Sequence, residues 1–203
     1  MTKFGNRKNH ARAALAVVLL ACATLSLNTR VAFGMVALAG PAATDDCQDE
    51  CKDDLNAAKA ATAQYHNQGK ALADGFFSTQ QCVQVPGLGG MGVHYVNPGR
   101  MDLNIDAASP EVLLYVAEND GTMRLIGVEY VAPVIVNGSP WFGPGPPPNG
   151  QYNAAPVLFG RPFDGPMAGH GPGEPWHYDL HVWAWRNNPS GTFFPFNPKV
   201  SCD

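Results

Sequence analysis

Charge is sparse in this chain: charged residues make up 15% of its 203 positions, with 13 Lys and Arg against 17 Asp and Glu. The basic residues are the scarcer kind, and Lys3, Arg7, Lys8, Arg12 and Arg30 all precede residue 40. Removal of a leader ending at residue 39 leaves eight basic residues against 17 acidic ones, a net charge of −9. That sign argues against nucleic acid or an anionic membrane as a partner. Apolar runs are short too. The longest, residues 13–27, falls below the roughly 20 residues that a membrane-spanning helix needs. No internal repeat or heptad array is present. No Lys-Ser/Thr follows Gly87, Gly89 and Gly92, so that glycine run is not a phosphate loop. Only one closely spaced cysteine pair exists, Cys47 and Cys51, which disfavours a thiolate metal site.

What is present at the N-terminus reads as a targeting segment, a basic lead followed by an apolar core. Ala37-Leu38-Ala39 fits the small-x-small cleavage pattern. The alternatives are a retained membrane anchor or a lipid anchor at Cys22, since Leu19-Leu20-Ala21-Cys22 resembles a lipobox with an unusual second residue. The expected organisation is a signal peptide over residues 1–39 and a single exported α+β domain over residues 40–203. The mature protein is expected to be secreted, periplasmic or in the cell envelope, with no stable membrane span. Four cysteines then remain, Cys47, Cys51, Cys82 and Cys202, and an oxidising compartment favours two disulfides. Cys47 and Cys51 are one helical turn apart and poorly placed to bond each other. One is therefore expected to reach Cys82 and the other Cys202.

Residues 44–75 carry a helical pattern. Cys47, Cys51, Leu55, Ala58, Thr62, Tyr65, Gly69, Leu72 and Phe76 recur at threes and fours and trace one stripe. Thr44 can cap this helix, Asp45, Asp46, Asp49 and Glu50 suit its positive end, and Gly75 suits its stop. His66 falls beside the stripe and reads as solvated. Further on, residues 93–96 form a short strand that carries His94. Residues 112–117 and 123–131 form a hairpin around Asn119-Asp120-Gly121. Two Pro/Gly-rich loops follow, residues 132–155, which read as a lid or flap, and residues 162–175, with a short strand at 156–159 between them. His170, in the second loop, reads as solvated.

Residues 176–185, Trp-His-Tyr-Asp-Leu-His-Val-Trp-Ala-Trp, are rich in strand formers. Alternation puts His177, Asp179, His181, Trp183 and Trp185 on one strand face. Two imidazoles, a carboxylate and two indoles on one face suggest a pocket wall. Positions i and i+4 on a strand lie about 13 Å apart, so His177 and His181 do not share an ion, whereas i,i+2 neighbours about 6.6 Å apart can. Glu129, between Val128 and Tyr130 on a mid-sheet strand, is costly to bury unless paired. His94, Glu129 and His181 make a two-histidine, one-carboxylate set suited to a divalent transition metal with open positions. Asp179 is expected as a further ligand or as the partner that orients an imidazole. His177, Trp183, Trp185 and Tyr130 are expected to line the surrounding pocket. Structural roles stay open for each of these residues, the imidazoles bonding backbone carbonyls and Glu129 an arginine.

The segments Gly90-Met91-Gly92-Val93-His94-Tyr95-Val96-Asn97, Val128-Glu129-Tyr130 and Leu158-Phe159-Gly160-Arg161-Pro162-Phe163 carry a resemblance. So do His177-Tyr178-Asp179-Leu180-His181-Val182-Trp183 and Asn197-Pro198-Lys199-Val200-Ser201-Cys202. On these the chain resembles a family of exported bacterial proteins without a settled activity. The resemblance spans most of the expected mature region, and it implies export and one undivided domain without supplying a reaction. The expected fold is α+β, with an N-terminal helix packed on a mainly antiparallel β-sheet or small β-barrel. The expected function is a metal-dependent pocket, enzymatic toward a small molecule. The alternatives are a non-catalytic binding module of the cell envelope and a structural envelope protein.

Overall fold

The computed structural model describes residues 49–170 and 173–202. The signal peptide, the sites at Ala39 and Cys22, the Thr44 cap and Cys47 lie outside them. Helix α1 (Asp49–Thr62) is followed by a 3-10 turn at Ala63–His66 and then by α2 (Gln68–Ala73). One continuous helix was expected. The chain instead leaves the helix at Asn67, which is extended (φ −86°, ψ 101°) and caps α2 by accepting from the Gly69 N–H at 3.0 Å. This break shifts the phase of the apolar stripe. Cys51, Ala58, Thr62 and Tyr65 are buried as the spacing requires, but beyond the break Ala71 turns inward and Leu72 is 50% exposed.

Strands β1 (Phe77–Val85) and β2 (Gly89–Val96) form a first hairpin, and β3 (Val112–Ala117) and β4 (Met123–Pro133) a second. In the second turn Gly121 takes a positive φ of 81°, and the Asp120 side chain accepts from the N–H and hydroxyl of Thr122. Two minimal hairpins follow, β5 (Ile135–Val136) with β6 (Ser139–Pro140) and β7 (Val157–Leu158) with β8 (Arg161–Pro162). Then come β9 (Asp164–Met167) and β10 (His177–Val182). The main sheet runs β1-β2-β3-β4-β10-β9, with every neighbouring pair antiparallel. It curls into a half-barrel and stays open, with β1 and β9 at its edges.

The two faces of this sheet differ. On one, Tyr95, Leu113, Tyr115, Val128, Tyr130 and Leu180 share a buried cluster with Cys51, Ala58, Tyr65 and Ala71 from the helices. The Tyr115 hydroxyl donates to the Tyr65 carbonyl across that contact at 2.6 Å. On the other, Val112, Leu114, Ile126, Trp183 and Val200 form a smaller cluster. Because strand side chains alternate, His94, Glu129 and His181 fall on this second face, among those residues.

The C-terminal segment closes onto β1 and β2. Gly90 bridges Asn197, and at Gly89 (φ 94°) a Cβ would sit 2.0 Å from the Asn197 carbonyl oxygen, so only glycine permits this approach. Cys82 is joined to Cys202, with Cα atoms 5.6 Å apart across a sequence separation of 120. This overturns the expectation that each would pair with Cys47 or Cys51. Both sit where an edge strand meets the chain end. Cys51 is disulfide-bonded as well. The loop of residues 132–155 is anchored to the residue just ahead of β10: Val134 donates to Trp176, Trp176 to Trp141, and Trp141 to Val134, each at 2.8 Å.

Candidate metal centre

Three neighbouring strands supply one cluster. On β4, Glu129 lies directly opposite Val112 of β3 and His181 of β10. His94 of β2 lies opposite Leu114, on the far side of β3. The curl of the sheet brings its side chain back over β3 to Glu129. His94 Nε2 is 3.3 Å from Glu129 Oε2, and His181 Nε2 is 3.7 Å from Glu129 Oε1. The two imidazole planes stand 85° apart with centroids 6.1 Å apart. All three side chains are buried, with one donor atom from each within 4.8 Å of the others.

Burial sets the charge state. It holds His181 well below its ordinary pKa, and the nearby His94 adds to this. Burial, then the charge of His170, brings His94 down to about 4, against hydrogen bonding to the backbone of Gln81 and Gly92. Glu129 is pushed well above the usual carboxyl range, first by burial and then by Asp179 beside it. Asp179 itself rises to about 7, by burial and by the charge of Asp164. At neutral pH both imidazoles are therefore neutral and the carboxyl pair retains a proton. The short His–Glu contacts are then not ion pairs.

Nor do these contacts satisfy the groups that make them. His94 Nε2, both ring nitrogens of His181 and Asp179 Oδ1 are buried and make no hydrogen bond within the protein. Each such atom costs about 1–3 kcal/mol, a large expense in a fold whose whole stability is about 5–15 kcal/mol. One donor atom from each of the three residues lies within 4.8 Å of the others, and each imidazole Nε2 approaches a different oxygen of the Glu129 carboxyl, at 3.3 and 3.7 Å. The chemistry of the set fits too, with two neutral imidazoles offering lone pairs and a carboxyl able to give up its proton to a cation.

Asp179 belongs to a second group. With His170 and His177 it also offers three donor atoms within 4.8 Å of one another. His177 is buried and lowered in pKa by that burial, and its Nδ1 lies 3.2 Å from the Pro175 carbonyl oxygen. Next to the first group stands Glu111, buried and pushed up to about 7 by that burial. Its Oε2 accepts from the Val131 N–H at 3.0 Å, while Oε1 makes no hydrogen bond within the protein. Glu111 did not stand out in the sequence. His170 read as solvated, and it is exposed, with its ring beside that of His177.

The expected pocket wall is not assembled as one surface. Tyr130 points to the other face of the sheet, fully buried in the helix-side core, where its hydroxyl donates to the Ala107 carbonyl at 2.7 Å. Trp185 departs because β10 ends at Val182 and strand alternation ends with it. Its indole donates to Thr62 Oγ1 at 3.1 Å and stacks edge-on against His66, with centroids 4.5 Å apart. His66 is exposed, as the helix pattern implied. Trp183 does pack on the metal-candidate face, beside Val112 and Leu114, and its indole N–H donates to the Phe194 carbonyl at 2.6 Å. No protein-family profile, curated protein or solved structure matches this chain.

Proposed function

We propose that the protein binds a divalent transition-metal ion through His94, Glu129 and His181. The observation that carries this reading is the convergence of three buried donors whose imidazole nitrogens no protein group satisfies. Asp179 acts beside them, sharing the proton that Glu129 must lose when a cation binds. Three protein donors leave positions for water or a small molecule, the coordination of a catalytic rather than a closed structural ion. The metal supplies Lewis acidity or an activated water there. The protein's own part is to hold the imidazoles in one orientation and to keep the carboxyl pair dry.

We further propose that the protein works outside the cytoplasm, as a member of the exported family whose motifs it resembles. The Cys82–Cys202 disulfide supports this, as does the leader expected at the N-terminus. Among the described residues no helix is long and apolar enough to cross a membrane.

Elemental analysis of protein purified without a polyhistidine tag tests the metal site. Bound metal whose content falls in the His94→Ala, His181→Ala double variant is the expected result. Protein that takes up no ion from zinc, cobalt, iron or manganese would sink the proposal.

A further inference from the structure

The β10 strand presents His177, Asp179 and His181 to one side at i,i+2 spacing, about 6.6 Å per step. Its two histidines are too far apart to serve one ion, and Asp179 stands midway between them. His181 turns to His94 and Glu129, while His177 turns to His170, its ring centroid 5.0 Å away at an interplanar angle of 80°. The geometry points to a second metal position, held by His170, His177 and Asp179. The site then takes two divalent transition-metal ions, with the Glu129 and Asp179 carboxyls between them. The pairing of ions rests on the proposed first site, but the second position has its own ligands.

Three observations support it. Asp179 is 2% exposed, and its Oδ1 makes no hydrogen bond within the protein, so this group includes a buried carboxyl oxygen left unsatisfied. An Nδ1–H of His177 donating to the Pro175 carbonyl leaves Nε2 as a lone-pair donor in a fixed orientation, the usual arrangement for a ligating imidazole. The His170 backbone N–H donates to Glu174 Oε2 at 2.8 Å. Ring stacking alone would explain the approach of His170 to His177, but it leaves Asp179 Oδ1 unsatisfied. Because His170 is exposed while the other five residues are buried, the second position is the one nearer solvent.

Cobalt loading of the untagged protein tests this, with dialysis and elemental analysis followed by electron paramagnetic resonance. The expected result is two Co²⁺ per chain in the wild type and one in His170→Ala, whose exposed side chain can be removed without disturbing the core. The double variant His94→Ala, His181→Ala is also expected to retain one. Adjacent ions should broaden or quench each other's signal, so the doubly loaded protein should give less intensity per cobalt than His170→Ala. A wild type that holds one ion, retained in His170→Ala and lost in the His94/His181 variant, overturns the second position and leaves the first intact. Two ions with additive signals overturn their adjacency. A protein with no bound cobalt overturns both.

Discussion

Replacing Glu129 with Gln in metal-free protein should flatten the fall of stability with pH above neutrality. Burial and the neighbouring Asp179 push the Glu129 carboxyl well above its ordinary value of 4.5. The folded protein therefore keeps a proton that the unfolded chain has released. Its stabilising effect is complete below the unfolded pKa and is lost as pH rises toward the folded one, at about 1.4 kcal/mol per pH unit for one proton. Asp179 and Glu111, both raised to about 7, act in the same sense up to that pH. His94, held near 4, acts oppositely, as do His177 and His181, both lowered. The folded state lacks protons that the unfolded imidazoles carry, so stability rises until pH passes about 6.5. Three groups of each sign roughly offset one another between about pH 4.5 and 6.5. Above about pH 7 the histidines have finished titrating and the carboxyl pair has not. With a urea m value of about 2 kcal/mol per M, the midpoint should drop as pH rises, by at most roughly 0.7 M per pH unit for one proton. Urea unfolding in chelator near pH 7 and pH 8 measures this, and Glu129→Gln, which cannot ionise, should lose most of the slope. A wild-type midpoint that stays level or rises, or an unchanged slope in Glu129→Gln, would refute the reasoning.

Other consequences can be checked independently. The Cys82→Ser, Cys202→Ser pair releases a loop spanning a sequence separation of 120; loop-closure entropy puts the cost at up to about 5 kcal/mol, readable as a lowered denaturation midpoint. Tyr130→Phe removes the donor to the buried Ala107 carbonyl and should cost about 1–3 kcal/mol. Because Tyr130 lies on the opposite face of the sheet, metal content by elemental analysis should stay unchanged. Gly89→Ala forces a Cβ against the Asn197 carbonyl at a positive φ. A cost of at least about 2 kcal/mol lowers Tm by roughly 4–8 °C in calorimetry.

The strands richest in β-formers were legible. The hairpin at Val112–Ala117 and Met123–Pro133 announces itself through runs of strand formers around Asn-Asp-Gly. Asp164–Met167 was not, because Asp-Gly-Pro-Met carries no strand propensity and pairs only because β10 offers it an edge. The helix break at Asn67 was hidden by a stripe that continues in sequence past the point where the backbone changes phase. Strand alternation alone predicted which residues of β10 share a face up to Val182, and it failed at Trp185, where the strand had ended. The cysteine pairing depended on the chain end folding back onto the edge strand, a long-range contact that spacing does not encode. Residue chemistry picked out His94, Glu129 and His181. That they meet depends on β3 lying between β2 and β4, and on the sheet's curl carrying His94 over it. His170 read as solvated, and the contact of its ring with that of His177 is not encoded by the residue pattern of its loop.

Anomalous diffraction from a zinc-soaked crystal, collected at the metal absorption edge, addresses the metal centre itself. The expected result is a peak about 2.0–2.2 Å from His94 Nε2, His181 Nε2 and a Glu129 carboxylate oxygen. An anomalous map with no peak among these three residues, in crystals where zinc binds elsewhere, would contradict it.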